Sequence, residues 1–126
     1  EYDIEEVRKM KISKIQIFDK SADVNSFKIK GESLWLDKST RVGLFNSISI
    51  EKNAGKTHTI LWYDAVKYVI PIPDALPMLN EIEMYALNCY NVTQSHIAAV
   101  RSLQTIEEIE NYDYTIGYPA KLSFPG

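Results

Sequence analysis

Gly55-Lys56-Thr57 is the run whose residue types come nearest to chemistry, because it ends as a phosphate-binding loop ends. The full loop needs a glycine five residues earlier, and Ile50 stands there. Its setting is also inverted. A phosphate loop follows a strand and opens a helix so that backbone amides face the anion, whereas Gly55 is expected to close a helix and lead into a strand. His58 and His96 are the only histidines. A catalytic zinc takes three protein ligands, and neither histidine has a second one at helical spacing; Glu81 and Glu83 lie too far from His96 to share a short metal motif. Cys89 stands alone, which excludes an internal disulfide and an all-cysteine metal site. Its neighbours Leu87, Tyr90 and Val92 suit a small buried thiol better than a nucleophile activated by His96. Serine, histidine and aspartate are all present, but no Gly-x-Ser-x-Gly elbow holds them. The pairs Glu81/Glu83 and Glu107/Glu108 read as solvated helix surface. We assign no catalytic, cofactor-binding or metal-ligating residue, expect no cofactor, and read the chain as non-enzymatic.

Two further groups invite a function. Asp37 and Arg41, four residues apart across a helix start, are expected to cap the helix and to form an ion pair that fixes a strand-to-helix corner. Asn91-Val92-Thr93 matches a glycosylation sequon but falls inside a helical stripe. The aromatics Trp35, Trp62, Tyr63, Tyr68, Tyr112, Tyr114 and Tyr118 are divided between core, protein interface and sugar contact. Tyr112, Tyr114, Tyr118 and Trp62 are the candidates for an interaction surface.

The elements that would position these groups emerge from periodicity. From Asp3 to Phe18 apolar residues recur at helical steps, giving an N-terminal helix over residues 1–22 that serves as a connector or docks on the downstream domain. Residues 23–126 are read as a single domain. Phe27 and Ile29 alternate with lysines as a half-buried strand, Gly31 turns the chain, and Leu34-Trp35-Leu36 returns. A helix from about Thr40 to Lys52, with Val42, Phe45 and Ile48 inward, ends at Gly55. A second hairpin uses His58–Tyr63 and Tyr68–Ile72, closed by Pro71 and Pro73. Asp74 is expected to cap the long pattern from Leu79 to Leu103, with Pro77 in its first turn. That pattern is either one helix of about thirty residues or two broken near Asn91. Thr105 and Glu108 form a capping box for a short helix. The fold class is therefore α+β, two hairpins forming a small antiparallel sheet packed against helices.

Composition narrows the partners. At 126 residues, 45% hydrophobic and 25% charged, with net charge −3, the chain is an ordinary globular protein without the basic surplus of a phosphate binder. The run Arg8-Lys9-Lys11-Lys14 comes after Asp3, Glu5 and Glu6, an order that suits one helix dipole. We expect no nucleic acid and no membrane partner, since no apolar run approaches the ~20 residues a span requires. The chain begins at Glu1 within a helical pattern, as a trimmed or truncated piece would, and we read no signal peptide in its charged first residues.

The ordered series Phe27, Gly31, Asp37, Ser39, Arg41, Gly55, Trp62, Leu76, Leu79, His96, Thr105 and Glu108 resembles a domain of unknown function that recurs in tail and tail-fibre regions of bacteriophages and prophages. The series departs at Lys30, where the family pattern has asparagine. The resemblance covers about two thirds of the chain. It implies a structural tail component or a tail-fibre assembly helper, with other tail proteins or a second copy as partner. The location it implies is the bacterial cytoplasm during assembly or the virion tail. A small carbohydrate- or peptide-binding module using exposed aromatics is the alternative.

Overall fold

The computed structural model describes residues 2–125. Its contacts group the chain into two compact units, Glu1–Asn25 with Ala86–Ala120 and Ser26–Tyr85 with Lys121–Gly126. This differs from the boundary expected at residues 22 and 23. The apolar side of the N-terminal helix α1 (Ile4–Asp19) belongs to the first unit's core.

In that first unit, Asp3 caps α1 by accepting the Glu6 N–H at 2.9 Å. Val7 and Ile15 are buried with Ile97 and Val100 of the long helix α3 (Ile72–Ser102) and Ile109 of α4 (Ile106–Asn111). Polar contacts tie the same surfaces. The Arg8 guanidinium donates to the Leu103 carbonyl at 2.6 Å and pairs with Glu5, and Lys11 donates to the Glu110 carbonyl at 3.0 Å. Thr105 caps α4, accepting the Glu108 N–H at 3.1 Å while its hydroxyl donates to the Glu108 carboxylate at 2.9 Å. The box therefore closes through the hydroxyl instead of the Thr105 backbone N–H.

The second unit begins with β1 (Phe27–Ile29) and β2 (Glu32–Leu34), an antiparallel hairpin. Lys30 and Gly31, at φ 53° and 82°, form its two-residue turn. Two consecutive positive φ values match the right-handed twist of the strands they join. Helix α2 (Lys38–Asn53) comes next, capped by Asp37, which accepts the Thr40 N–H at 2.8 Å. At its other end Gly55 adopts φ 84°, with the Gly55 N–H on the Lys52 carbonyl and the Lys56 N–H on the Glu51 carbonyl. This is the Schellman pattern, and it needs a left-handed residue at Gly55. The strands β3 (His58–Tyr63) and β4 (Val66–Pro71) pair antiparallel through Asp64 and Ala65, also at positive φ. Finally β5 (Ser123–Phe124) lies parallel to β1, with the Lys28 N–H on the Leu122 carbonyl at 3.1 Å.

The class is α+β. The hairpins lie in two sheets, β2-β1-β5 and β3-β4, instead of one. One edge of β1 is taken by β5, and Phe124 meets Phe27 edge-on at 5.8 Å. The core holds Phe27, Ile29, Leu36, Ile48, Leu61, Ile70 and Ile82. Helix α2 turns Arg41, Leu44 and Ile48 inward, while Val42 and Phe45 are exposed, which corrects the expected inner face. Helix α3 is unbroken over 31 residues, so Asp74 sits within its first turn and is not its cap.

Candidate interaction surface

The β3–β4 hairpin presents the chain's most exposed aromatic on a strand edge. The alternation of its side chains comes from burial: Thr59 and Leu61 face inward, while His58, Ile60 and Trp62 face out. Ile60 is 49% exposed, Trp62 61%, and Val69 on β4, directly opposite Ile60, is 48% exposed. The backbone phase is fixed separately. Beyond the strand ends the Ile72 N–H donates to the Thr57 carbonyl at 2.9 Å. Antiparallel pairs alternate between bonded and non-bonded, so Thr59, Leu61 and Tyr63 bond to β4. The N–H and C=O groups of His58, Ile60 and Trp62 then point away from it.

The two edges of this sheet are protected unequally. The β4 edge carries Lys67 and Pro71, a charge and a missing donor that both discourage strand addition. The β3 edge carries only His58, Ile60 and Trp62, without lysine, carboxylate or proline. Alongside it runs a groove of about 370 Å³ lined by Trp35, Asp37, Thr40, Leu44, Trp62 and Tyr63, among others. The Thr40 backbone N–H and the Ser39 hydroxyl hold the Asp37 carboxyl below its usual range, so a negative charge stands in this groove at neutral pH.

The remaining candidates are placed elsewhere. Tyr112, Tyr114 and Tyr118 do not form an outer surface; each is half-buried and committed within the first unit. Phe18 meets Tyr114 and Tyr118 edge-on, both at 5.6 Å. Tyr112 bonds to His96 Nδ1 at 2.6 Å, while His96 Nε2 lies 2.8 Å from the Ile116 carbonyl. A carbonyl can only accept, so Nε2 carries the hydrogen, and in the neutral ring Nδ1 accepts from the Tyr112 hydroxyl. Burial, and then the charge of Asp113, raises the Tyr112 phenol above its usual value and keeps that donor protonated. Thr93 donates to the Asp19 carboxylate and meets the Tyr118 hydroxyl, both at 2.7 Å. Periodicity places His96 on a buried face but offers no means of finding Tyr112 and Ile116, which lie in an irregular stretch.

Arg41 is 7% exposed and does not pair with Asp37 as expected. It donates to the Leu36 carbonyl at 2.6 Å and to Glu83 at 2.9 Å, and its guanidinium lies 5.4 Å from the Trp35 ring. The helix start turns Arg41 inward toward α3, whereas Asp37 turns back onto the amide of Thr40. His58 is exposed and meets the Thr57 hydroxyl through Nδ1 at 2.9 Å. Together with Lys52 and Lys56 it borders a wider groove of about 740 Å³ floored by Ile72, Leu76 and Pro77. Cys89 is buried in α3. Among the described residues no group of three or more metal-binding side chains converges, and no helix is long and apolar enough to cross a membrane.

Comparisons with protein-family models, with curated proteins and with solved structures find no match for this chain.

Proposed function

We propose that the chain is a non-enzymatic module that works through protein–protein contacts, as a structural component of a bacteriophage or prophage tail or as a helper in tail-fibre assembly. The observation carrying the contact half of this reading is the uncovered β3 edge, with Ile60 and Trp62 exposed beside it. An open strand edge offers unpaired backbone donors and acceptors, and large apolar side chains at its flank supply the area that interfaces use. The phage half rests on the ordered series from Phe27 to Glu108 alone. Under this reading the partners are other tail proteins or a second copy, met in the bacterial cytoplasm during assembly or in the finished tail.

The test is Trp62→Lys in cells carrying the corresponding tail genes. With its circular dichroism unchanged, the variant should give fewer assembled tails or fibres by electron microscopy. Normal particle numbers would remove this reading. The groove flanked by Trp35, Trp62 and Tyr63 with the Asp37 carboxylate favours a second one, a small carbohydrate or peptide ligand, since sugars stack on aromatic faces and bond to carboxylates. Quenching of tryptophan fluorescence by a panel of oligosaccharides, lost on Asp37→Asn, would favour that alternative.

A further inference from the structure

We infer that the occupant of the β3 edge is β3 of a second copy of this chain, paired antiparallel about a two-fold axis at Leu61. The inference rests on the protein-contact reading above and specifies its partner.

The backbone phase supports it first. With Leu61 at the axis, Ile60 of one copy stands opposite Trp62 of the other. Both residues direct their N–H and C=O groups away from β4, so they meet as a bonded pair on each side of the axis. Leu61 faces its own counterpart as a non-bonded pair, as the alternation requires. A strand whose outward groups were offset by one residue would have opposed two inward-bonded positions and gained nothing.

Charge supports it second. The same register carries His58 to the start of the second copy's β3–β4 turn, where Asp64 stands, an imidazole beside a carboxylate, and opposes no like charges between the paired strands. His58 uses Nδ1 toward Thr57, which leaves Nε2 for the partner carboxylate. On the outer face, Ile60 then lies beside Trp62 of the second copy, covering two of the largest exposed apolar side chains in the hairpin. The other edges of the unit do not offer this. The β4 edge is guarded by Lys67 and Pro71, and the edges of the other sheet are β2 and β5, only three and two residues long. The sheet formed would run β4-β3-β3-β4, with the guarded strands outermost. An isologous contact of this kind closes on itself and gives a dimer, not a filament.

Sedimentation equilibrium and light scattering from about 1 µM to about 1 mM test the inference. The protein should move with concentration from its 14.4 kDa monomer to a dimer. Ile60→Lys and Trp62→Lys, each checked for folding by circular dichroism, should remain monomeric throughout. His58→Asp should weaken the dimer by about two- to fivefold, and His58→Asp with Asp64→Lys should recover it, because opposing two carboxylates across the contact has that magnitude and replacing one by lysine reverses it. In hydrogen exchange of the unaltered protein, the Ile60 and Trp62 amides should gain protection as concentration rises. A monomer across the range would overturn the inference, as would a dimer that Trp62→Lys leaves intact. Either result, combined with failed tail assembly by Trp62→Lys, leaves the protein-contact reading standing with another partner. A dimer whose loss does not affect assembly removes the tail-assembly role and retains the protein contact and this inference.

Discussion

Lys30, Asp64 and Ala65 occupy left-handed backbone that a β-carbon resists, at φ 53°, 49° and 63°. Asparagine and glycine enter this region at much lower cost. Lys30→Asn and Ala65→Gly should therefore each stabilise the protein by about 0.5–1 kcal/mol in urea unfolding. Arg41 makes the opposite case. Its guanidinium satisfies the Leu36 carbonyl, pairs with Glu83 and lies over Trp35, whereas Glu83 is 43% exposed and can turn to water. Arg41→Ala should cost about 2–3 kcal/mol and Glu83→Ala under about 1 kcal/mol, measured in the same way. Gly31 and Gly55 were legible as left-handed positions because glycine is the residue that marks them. The partner of Arg41 was not, since Asp37 is close in sequence and Glu83 becomes a neighbour only after α2 meets α3.

Helix ends and strand edges show how far periodicity reaches. Burial demands a repeat along each segment, so the positions of α1, α2, β3 and α3 could be read from their apolar spacing, and that of α4 from its capping box. The face of α2 could not, because a buried arginine takes the place of an apolar residue and moves the first two positions of the stripe to Arg41 and Leu44, while Ile48 stays inward. The division into two sheets was also hidden, since β5 has two residues and its pairing with β1 joins distant parts of the chain. The Asp37 cap of α2 carries a pH dependence. Its carboxyl lies below the ordinary 3.8 because it accepts from Thr40 and Ser39. A depressed carboxyl contributes stability that is fully present above the unfolded value and lost as pH falls through the folded one. Thermal midpoints should thus fall on acidification below about pH 4. Asp37→Asn, which keeps a capping oxygen but cannot titrate, should flatten that slope. An unchanged slope would assign the acid response to other carboxylates, such as Asp113, which Thr115 depresses in the same manner.

The grouping of the chain into two units makes a prediction about where a substitution is felt. His96→Ala removes bonds to Tyr112 and to the Ile116 carbonyl and leaves both polar groups without that partner. It should cost about 2–4 kcal/mol. In hydrogen exchange the loss of protection should be larger over residues 1–25 and 86–120 than over 26–85. Equal loss in both would show that they unfold as one. Trp62 is legible as an outward residue once Thr59 and Leu61 are known to be buried, but the openness of its edge depends on which neighbouring strand is missing, and no local pattern records that.

The pairing of β5 with β1 has a consequence for synthesis. Both units are discontinuous, the first closing with residues up to 120 and the second with residues beyond them. A ribosome delivers Phe27 and Ile29 long before Ser123 and Phe124, the residues that cover their strand. While translation proceeds, that apolar hairpin waits with one edge unpaired. Loop closure over such a separation is slow, and an exposed edge in the meantime invites association. Pairing of β5 with β1 therefore comes later than formation of the hairpin, and β1 keeps an open edge until Ser123 and Phe124 have emerged.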